Sequence, residues 1–91
     1  MADDAGSQDK DSVMRAYFVQ IKCELGKSYD VATAIADAEI ASEIYSTAGG
    51  WDLLVKLYLD EAQDIGHVIA QKIQTIPGIR DTYTIITFRA F

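Results

Sequence analysis

The chain has 91 residues, 49% of them apolar, a formal net charge of −6 and an isoelectric point near 4.4. A domain this short buries only about 60–65% of its unfolded surface, so the high apolar content predicts a surface shared with a second copy. The acidic balance, with eight Lys and Arg in total, argues against a nucleic-acid-binding role. No apolar run approaches the roughly 18–20 residues that span a bilayer.

The beginning of the chain is polar and acidic. Residues 1–13 contain mostly Asp, Ser, Gln and other polar residues, which predicts a disordered tail ahead of one domain over 14–91. The first residues lack the positive charge and apolar stretch of a signal peptide. The single cysteine, Cys23, cannot form an internal disulfide. Together these features predict a cytoplasmic protein.

The first structural unit is a strand followed by a helix. Apolar residues alternate with period two up to Cys23, which predicts a strand over 14–23. Gly26 ends that strand. Ser28 or Asp30 is expected to cap the helix that follows, because either side chain can accept a hydrogen bond from the first-turn amides.

A hairpin comes next. Strands are predicted over 42–47 and 51–59, and Gly49-Gly50 form the short connection that makes the two strands antiparallel neighbours. Asp60 then offers a cap for a second helix, with Gln63 at the position of a capping box.

Apolar residues at helical spacing continue from Asp60 to Ile76, and Pro77-Gly78 end that helix. A last strand is predicted over 79–88. The order β-α-β-β-α-β is that of a ferredoxin-like α+β fold with a four-stranded antiparallel sheet.

The two faces of this sheet differ in composition. One face is expected to pack under the helices through aliphatic residues, namely Val19, Ile21, Leu53, Val55, Leu57 and Ile85. The other face mixes polar side chains (Gln20, Lys56, Thr82, Thr84) with apolar and aromatic ones, namely Phe18, Tyr45, Leu54, Tyr58, Ile86 and Phe88. A solvated face would be mostly polar, so this composition predicts a face-to-face homodimer.

The hairpin segment Gly49-Gly50-Trp51-Asp52 is the first candidate site. Consecutive glycines can expose adjacent N–H groups to a carboxylate, and Asp52 can accept hydrogen bonds from an ammonium. Such a pair of contacts suits the two ends of a free amino acid. A tight turn with a solvated Asp52 explains the same residues without a ligand.

Two threonines of the last strand are the second candidate. Thr82 and Thr84 are two positions apart, so their hydroxyls face the same way. Threonine pairs also occur on strands for their β-propensity alone.

His67 is expected to point outward from the second helix and Cys23 to be buried. No nucleophile–base pair, metal-ligand spacing or cofactor motif is present, so we expect no enzyme activity, metal or cofactor.

The two candidate sites together resemble the effector-binding (RAM) domain of Lrp/AsnC transcription regulators. That family reads glycine, any residue, aromatic and aspartate at its hairpin, matched by Gly49, Gly50, Trp51 and Asp52. After the second helix it reads proline-glycine-valine and two threonines, matched by Pro77-Gly78-Ile79, Thr82 and Thr84. The chain departs from the pattern in two ways. Many members have threonine immediately before the first glycine, where this chain has Ala48, with Thr47 one residue earlier. Trp51 replaces a smaller aromatic ring.

The resemblance implies a dimeric α/β barrel whose dimers assemble into larger oligomers and bind amino-acid effectors where dimers meet. It implies no catalysis. Only about a dozen residues precede the first strand, so we expect no helix-turn-helix in this chain, and any contact with DNA to come through a partner such as a full-length Lrp/AsnC regulator. Two alternatives remain open, a ligand-free oligomerisation module and a dimeric α/β-barrel enzyme.

Overall fold

The computed structural model describes residues 13–91, so the predicted tail lies outside the described residues except for Val13. The second helix begins as one α-helical turn and continues as a π-helical segment, and we call the two together α2. The elements in chain order are β1 (Met14–Cys23), α1 (Ser28–Asp37), β2 (Glu43–Ser46), β3 (Leu53–Asp60), α2 (Ile65–Val68 and Ile69–Ile73) and β4 (Ile79–Ile86). The predicted order of strands and helices is confirmed.

The four strands form one antiparallel sheet in the order β2-β3-β1-β4. β1 lies in the middle, where Val19 pairs with Val55 of β3 on one side and with Thr84 of β4 on the other. β2 pairs only with β3, as expected for a hairpin. This is the ferredoxin-like arrangement that the sequence predicts.

The hydrophobic core lies between one face of the sheet and both helices. Side chains from β1 and β3 meet α1 and α2 there, and nine of them are at most 3% exposed: Val19, Ile21, Val31, Ile35, Leu53, Val55, Leu57, Ile69 and Ile73. Five of the six residues predicted for the helix-covered face are therefore confirmed. The exception is Ile85, which is 38% exposed.

The prediction for Ile85 is wrong because β4 contains a bulge. Ile79 pairs with Cys23, but Asp81 already pairs with the preceding residue Lys22, so Arg80 is an extra residue in the ladder. One inserted residue reverses the side-chain alternation beyond it. Ile85 consequently pairs with Phe18 on the uncovered face.

The same bulge moves other β4 residues to the helix side. Thr82 pairs with Ile21, Thr84 with Val19 and Ile86 with Tyr17, and all three partners are buried core residues. The sequence-based placement of these three on the uncovered face is wrong for the same reason. Phe88 lies beyond the end of β4 and is 90% exposed, so it does not belong to the sheet face predicted for it.

The beginnings of both helices differ from the predictions. α1 begins at Ser28 after Lys27, and no side chain caps it. The turn at Asp60 forms one half of the predicted capping box, since the Asp60 amide donates to Gln63 Oε1 at 3.3 Å. Asp60 Oδ1 accepts from the Ala62 amide at 2.9 Å and not from the Gln63 amide. α2 nevertheless begins only at Ile65, where Asp64 accepts a hydrogen bond from the Gly66 amide.

β4 begins in close contact with α1 at Gly78. Its φ of +97° lies in the region that favours glycine, and a Cβ atom there would be 3.1 Å from both Lys27 Cβ and Val31 Cγ2. The Gly78 carbonyl also accepts a hydrogen bond from the Glu24 amide at 2.8 Å. This contact fixes the N-terminal end of α1 against the sheet. Within 13–91, no helix reaches the length and apolar character needed to cross a membrane.

Candidate functional site

The loop between β2 and β3 is closed by hydrogen bonds across its base. The Thr47 amide donates to the Asp52 carbonyl at 2.9 Å, and the Thr47 hydroxyl donates to the Trp51 carbonyl at 2.8 Å. Gly49 has a φ of +96°, as the tight turn requires. The predicted hairpin is therefore a defined structure, and the hydroxyl of Thr47 helps to hold it closed.

Asp52 is fixed where the hairpin meets the end of β1. Its amide donates to the Ile21 carbonyl at 2.8 Å, and its Oδ2 accepts a hydrogen bond from the Cys23 amide at 2.7 Å. A carboxylate that bonds a backbone N–H is held in one orientation. The side chain of Asp52 therefore lies beside the N-terminal end of α1.

A cleft of about 340 Å³ opens at this point between the hairpin and α1. We call it the hairpin cleft, and its lining residues are Gly26, Ser28, Tyr29, Ser46, Thr47 and Asp52. Four of the six carry hydroxyl groups and one carries a fixed carboxylate. The first-turn N–H groups of α1 also lie at this end of the helix, where no side chain caps them.

Cys23 lies at the same end of β1, in surroundings that do not activate its thiol. Burial raises the pKa of its thiol, the negative charge of Asp52 raises it further, and a hydrogen bond with Ser28 acts in the opposite direction. Because the thiolate is the nucleophilic form, these surroundings do not favour a reactive cysteine. The expectation that Cys23 is buried is confirmed, since only 7% of it is exposed.

The predicted threonines lie on the other side of β1. Strand β1 separates β3, which follows Asp52, from β4, which carries Thr82 and Thr84. Thr82 Oγ1 accepts a hydrogen bond from Gln74 Nε2 at 2.8 Å, at the end of α2. The threonines therefore do not line the hairpin cleft, and the contact of Thr82 is with the second helix.

The two hairpin glycines and Trp51 are also outside the lining of the cleft. The rings of Trp51 and Tyr83 have centroids 6.1 Å apart, and Tyr83 pairs with Gln20 on the uncovered face of the sheet. The Gly50 carbonyl accepts a hydrogen bond from Lys22 Nζ at 3.3 Å. Of the six predicted site residues, only Asp52 lines the cleft.

Sequence reasoning missed Ser28, Tyr29 and Ser46 as site residues. The sequence predicts Ser28 only as a helix cap, and neither of the other two belongs to a motif. They reach the cleft because β3 pairs with β1 and so brings the hairpin beside the start of α1. A polar segment that follows Gly26, with hydroxyls at consecutive positions, is the only signal in the sequence.

His67 is not among the residues that line the hairpin cleft. His67 is exposed in the short first turn of α2, as expected. In the part of the chain that the structure describes, no three His, Cys, Asp or Glu side chains come together as metal ligands.

The family model for the Lrp/AsnC ligand binding domain matches residues 16–91, which include the hairpin, the cleft and both helices. The chain belongs to the Lrp/AsnC family. Its domain is thus a ligand-binding domain of the kind found in transcription regulators, and its relatives are named as regulators rather than enzymes.

Individual proteins that are similar to this chain are consistent with the assignment. An uncharacterised HTH-type transcriptional regulator of Pyrococcus horikoshii is 36% identical over 59 residues, which are 65% of this chain and 39% of that protein. A Thermus thermophilus protein of known structure has a TM-score of 0.77 at 28% identity, over 85% of this chain and 96% of its own. AsnC of E. coli has a TM-score of 0.68 at 26% identity, over 91% of this chain and 56% of AsnC. The chain therefore spans about two fifths of the Pyrococcus regulator and somewhat more than half of AsnC.

Proposed function

We propose that this Lrp/AsnC domain binds a free amino acid as its effector, in the hairpin cleft. The observation that carries the proposal is the fixed carboxylate of Asp52, which faces a hydroxyl-lined cleft at the N-terminal end of α1. Family membership supports a small-molecule ligand, and the cleft suggests which chemical groups that ligand has.

The two ends of an amino acid match two features of the cleft, the carboxylate of Asp52 and the start of α1. Asp52 accepts hydrogen bonds, so it suits the ammonium group. The first-turn N–H groups of α1 and the hydroxyls of Ser28 and Tyr29 can donate to the carboxylate, which the helix dipole also favours. A volume of about 340 Å³ lies at the lower end of the range for small-molecule sites, as a single amino acid requires.

The test is a binding screen with a charge-only variant. The twenty amino acids are screened at millimolar concentration by thermal shift, and the strongest is measured by calorimetry. Asp52→Asn retains an oxygen that can accept the Cys23 amide but loses the negative charge, so we expect affinity to fall by about tenfold or more, the ~1.5–3 kcal/mol of a hydrogen bond to a charged group.

The matched control is Asp37→Asn, at an exposed position in the last turn of α1 with the same change of charge. It should leave binding unchanged. If Asp52→Asn binds as tightly as the unmodified protein, Asp52 is not the ammonium contact. If no amino acid stabilises the protein, the ligand-free oligomerisation module becomes the better proposal.

We also propose that the chain forms a homodimer through the uncovered face of its sheet. This face, which we call the open face, carries polar side chains, among them Gln20, Lys22, Glu43 and Lys56. Beside them lie half-buried or exposed apolar and aromatic ones, namely Phe18, Tyr45, Leu54, Tyr58, Tyr83 and Ile85. Leaving such a patch in water is costly for a single small domain.

Lys56 at the centre of the open face is already surrounded by partners. Its Nζ lies 5.8 Å from the centroid of the Phe18 ring, 5.2 Å from that of Tyr58 and 3.8 Å from Glu43 Oε2. Such contacts allow a positive charge to be covered by a second sheet at reduced cost. A monomer at micromolar concentration in light scattering would contradict the dimer.

Assembly beyond the dimer is proposed through the surface around the hairpin cleft. Leu25 is 98% exposed and Tyr29 is 83% exposed beside that cleft. Apolar side chains so fully exposed next to a ligand site support a contact between dimers there. A full-length Lrp/AsnC regulator is the partner we propose for any effect on transcription.

A further inference from the structure

The sheet has two edge strands, and they differ in how much backbone they leave free for hydrogen bonding. β2 forms one edge with four residues, whereas β4 forms the other with eight. A short edge strand offers little template to another strand, but a long one presents a row of unpaired N–H and C=O groups. The edge of β4 is therefore the larger backbone surface on which a second strand can pair.

The direction of the β4 backbone groups follows from the contacts of its neighbour β1. The Ile21 carbonyl accepts the Asp52 amide at 2.8 Å, on the side of β1 that faces β3. Odd-numbered residues of β1 therefore form their hydrogen bonds with β3, because bonded and non-bonded pairs alternate along an antiparallel ladder. Their partners in β4 consequently turn their N–H and C=O groups away from β1, and these partners are Thr82, Thr84 and Ile86.

The first of these outward amides is already satisfied. Asp81 Oδ1 accepts a hydrogen bond from the Thr82 amide at 2.9 Å, which agrees with its outward direction. Together with the bulge at Arg80, this contact covers the beginning of the edge. Among the side-chain and loop hydrogen bonds of residues 13–91, none involves the amide of Thr84 or Ile86. The later part of the edge is therefore open to a second strand.

The open part of this edge is self-complementary about Ile85. Asp81 lies four positions before Ile85 and Arg89 four positions after it, and both charged side chains are exposed. Two identical strands that pair antiparallel, with Ile85 opposite Ile85 of the second copy, bring Asp81 of each copy opposite Arg89 of the other. Arg89 lies beyond the end of β4, so the pairing extends that strand. Charge complementarity thus favours a second copy of this chain.

The same register uses both free backbone positions. Thr84 of each copy lies opposite Ile86 of the other, and each of these pairs exchanges both of its N–H···O=C bonds. A shift by two residues in either direction separates Asp81 from Arg89 of the second copy. One of these shifts also places the Thr82 amide, which already binds Asp81, in a bonded pair. The free amides and the charges therefore favour one register.

We propose that the β4 edges of two copies pair antiparallel around Ile85, and that the ion pairs between Asp81 and Arg89 select the partner. The pairing rests on the proposed homodimer, because Tyr83 and Ile85 of the open face border this edge. Pairing of edge strands closes one side of the two facing sheets and removes an exposed edge. A strand without an acid and a base at these two positions loses both ion pairs, so it is a poorer partner.

Engineered disulfides test the register. Tyr83 lies opposite Thr87 of the second copy in a non-bonded pair, whose Cβ atoms are about 4.5–5.5 Å apart and so within reach of a disulfide. Cys23→Ala removes the natural thiol, and Tyr83→Cys and Thr87→Cys are made separately in that background. Refolded together and oxidised, the two variants should form a cross-linked heterodimer, whereas neither variant alone should cross-link.

The matched control is Ser46→Cys in the same background, an exposed position on the other edge strand. Mixed with either variant, it should not cross-link, and cross-linking as efficient as that of the Tyr83→Cys and Thr87→Cys pair would overturn the proposed register. A protein that is dimeric in light scattering but lacks the specific cross-link would overturn the edge pairing and leave the open-face dimer standing. A monomeric protein would overturn both.

Exchange of the charges tests the selection of the partner. Asp81→Lys and Arg89→Glu each place like charges opposite each other, so each variant should dimerise about tenfold more weakly than the unmodified protein in analytical ultracentrifugation. A mixture of the two variants restores opposite charges at both positions and should form a heterodimer as tight as the original dimer. Asp37→Lys, at the exposed end of α1, should leave dimerisation unchanged. A mixture that stays as weak as the single variants would show that the ion pairs do not form.

Discussion

Gly78 offers a quantitative test of how β4 is held against α1. In Gly78→Ala the new Cβ would lie 3.1 Å from Lys27 Cβ and from Val31 Cγ2, and the latter side chain is fully buried. Alanine at positive φ costs about 1–2 kcal/mol, and overpacking of a filled contact costs about 1–3 kcal/mol. We therefore expect a loss of about 2–5 kcal/mol out of the ~5–14 kcal/mol typical of a chain of this length.

Two other glycines separate the contributions of strain and packing. Gly49 has a φ of +96°, almost the same as Gly78, but no atom lies within 4 Å of the position that a Cβ would occupy. Gly49→Ala should therefore cost only the strain, about 1–2 kcal/mol. Gly50 has neither positive φ nor a close neighbour, so Gly50→Ala should change the free energy of unfolding by at most about 1 kcal/mol.

The assay is urea denaturation of all four proteins at one fixed concentration, since dimerisation would make apparent stability depend on concentration. The expected order of the loss is Gly78→Ala, then Gly49→Ala, then Gly50→Ala. Equal losses for Gly78→Ala and Gly49→Ala would refute the argument, because they would leave no energy for the contact with Lys27 and Val31.

Two further predictions concern partners. Leu54→Asp places a charge on the open face, so it should convert the proposed dimer to monomer in light scattering and lower the melting temperature. Leu25→Asp lies outside that face and should do neither. A dimeric Leu54→Asp protein would count against the open face as the interface. The isolated chain should not retard duplex DNA at physiological salt, because its net charge is −6, and specific retardation by the pure protein would show this expectation to be wrong.

The architecture could be predicted because it depends on local patterns. Period-two alternation identified β1 and β3, helical spacing identified α1 and α2, and Gly49-Gly50 identified the hairpin. These signals are local in the chain and need no knowledge of tertiary contacts. The family motifs around Asp52 and Gly78 could be recognised for the same reason.

The face of the sheet on which each β4 side chain lies could not be predicted, because it depends on a bulge. Up to Ile79 the alternation agrees with the sequence pattern, but the extra residue Arg80 places Thr82 under the helices and Ile85 on the open face. The composition of β4 gives no sign of this, since threonine, tyrosine and isoleucine all suit either face of a strand. Only pairing with Lys22 and Cys23 decides it.

The sequence by itself determined the family, the order of the elements and the position of Asp52 directly after the hairpin glycines. Tertiary structure decided which groups accompany that carboxylate, because Ser28 and Tyr29 reach it only through the pairing of β1 with β3. It also separated Thr82 and Thr84 from the hairpin by the width of β1. Motifs record which residues a chain contains, whereas the shape of a cleft depends on contacts between residues far apart in sequence.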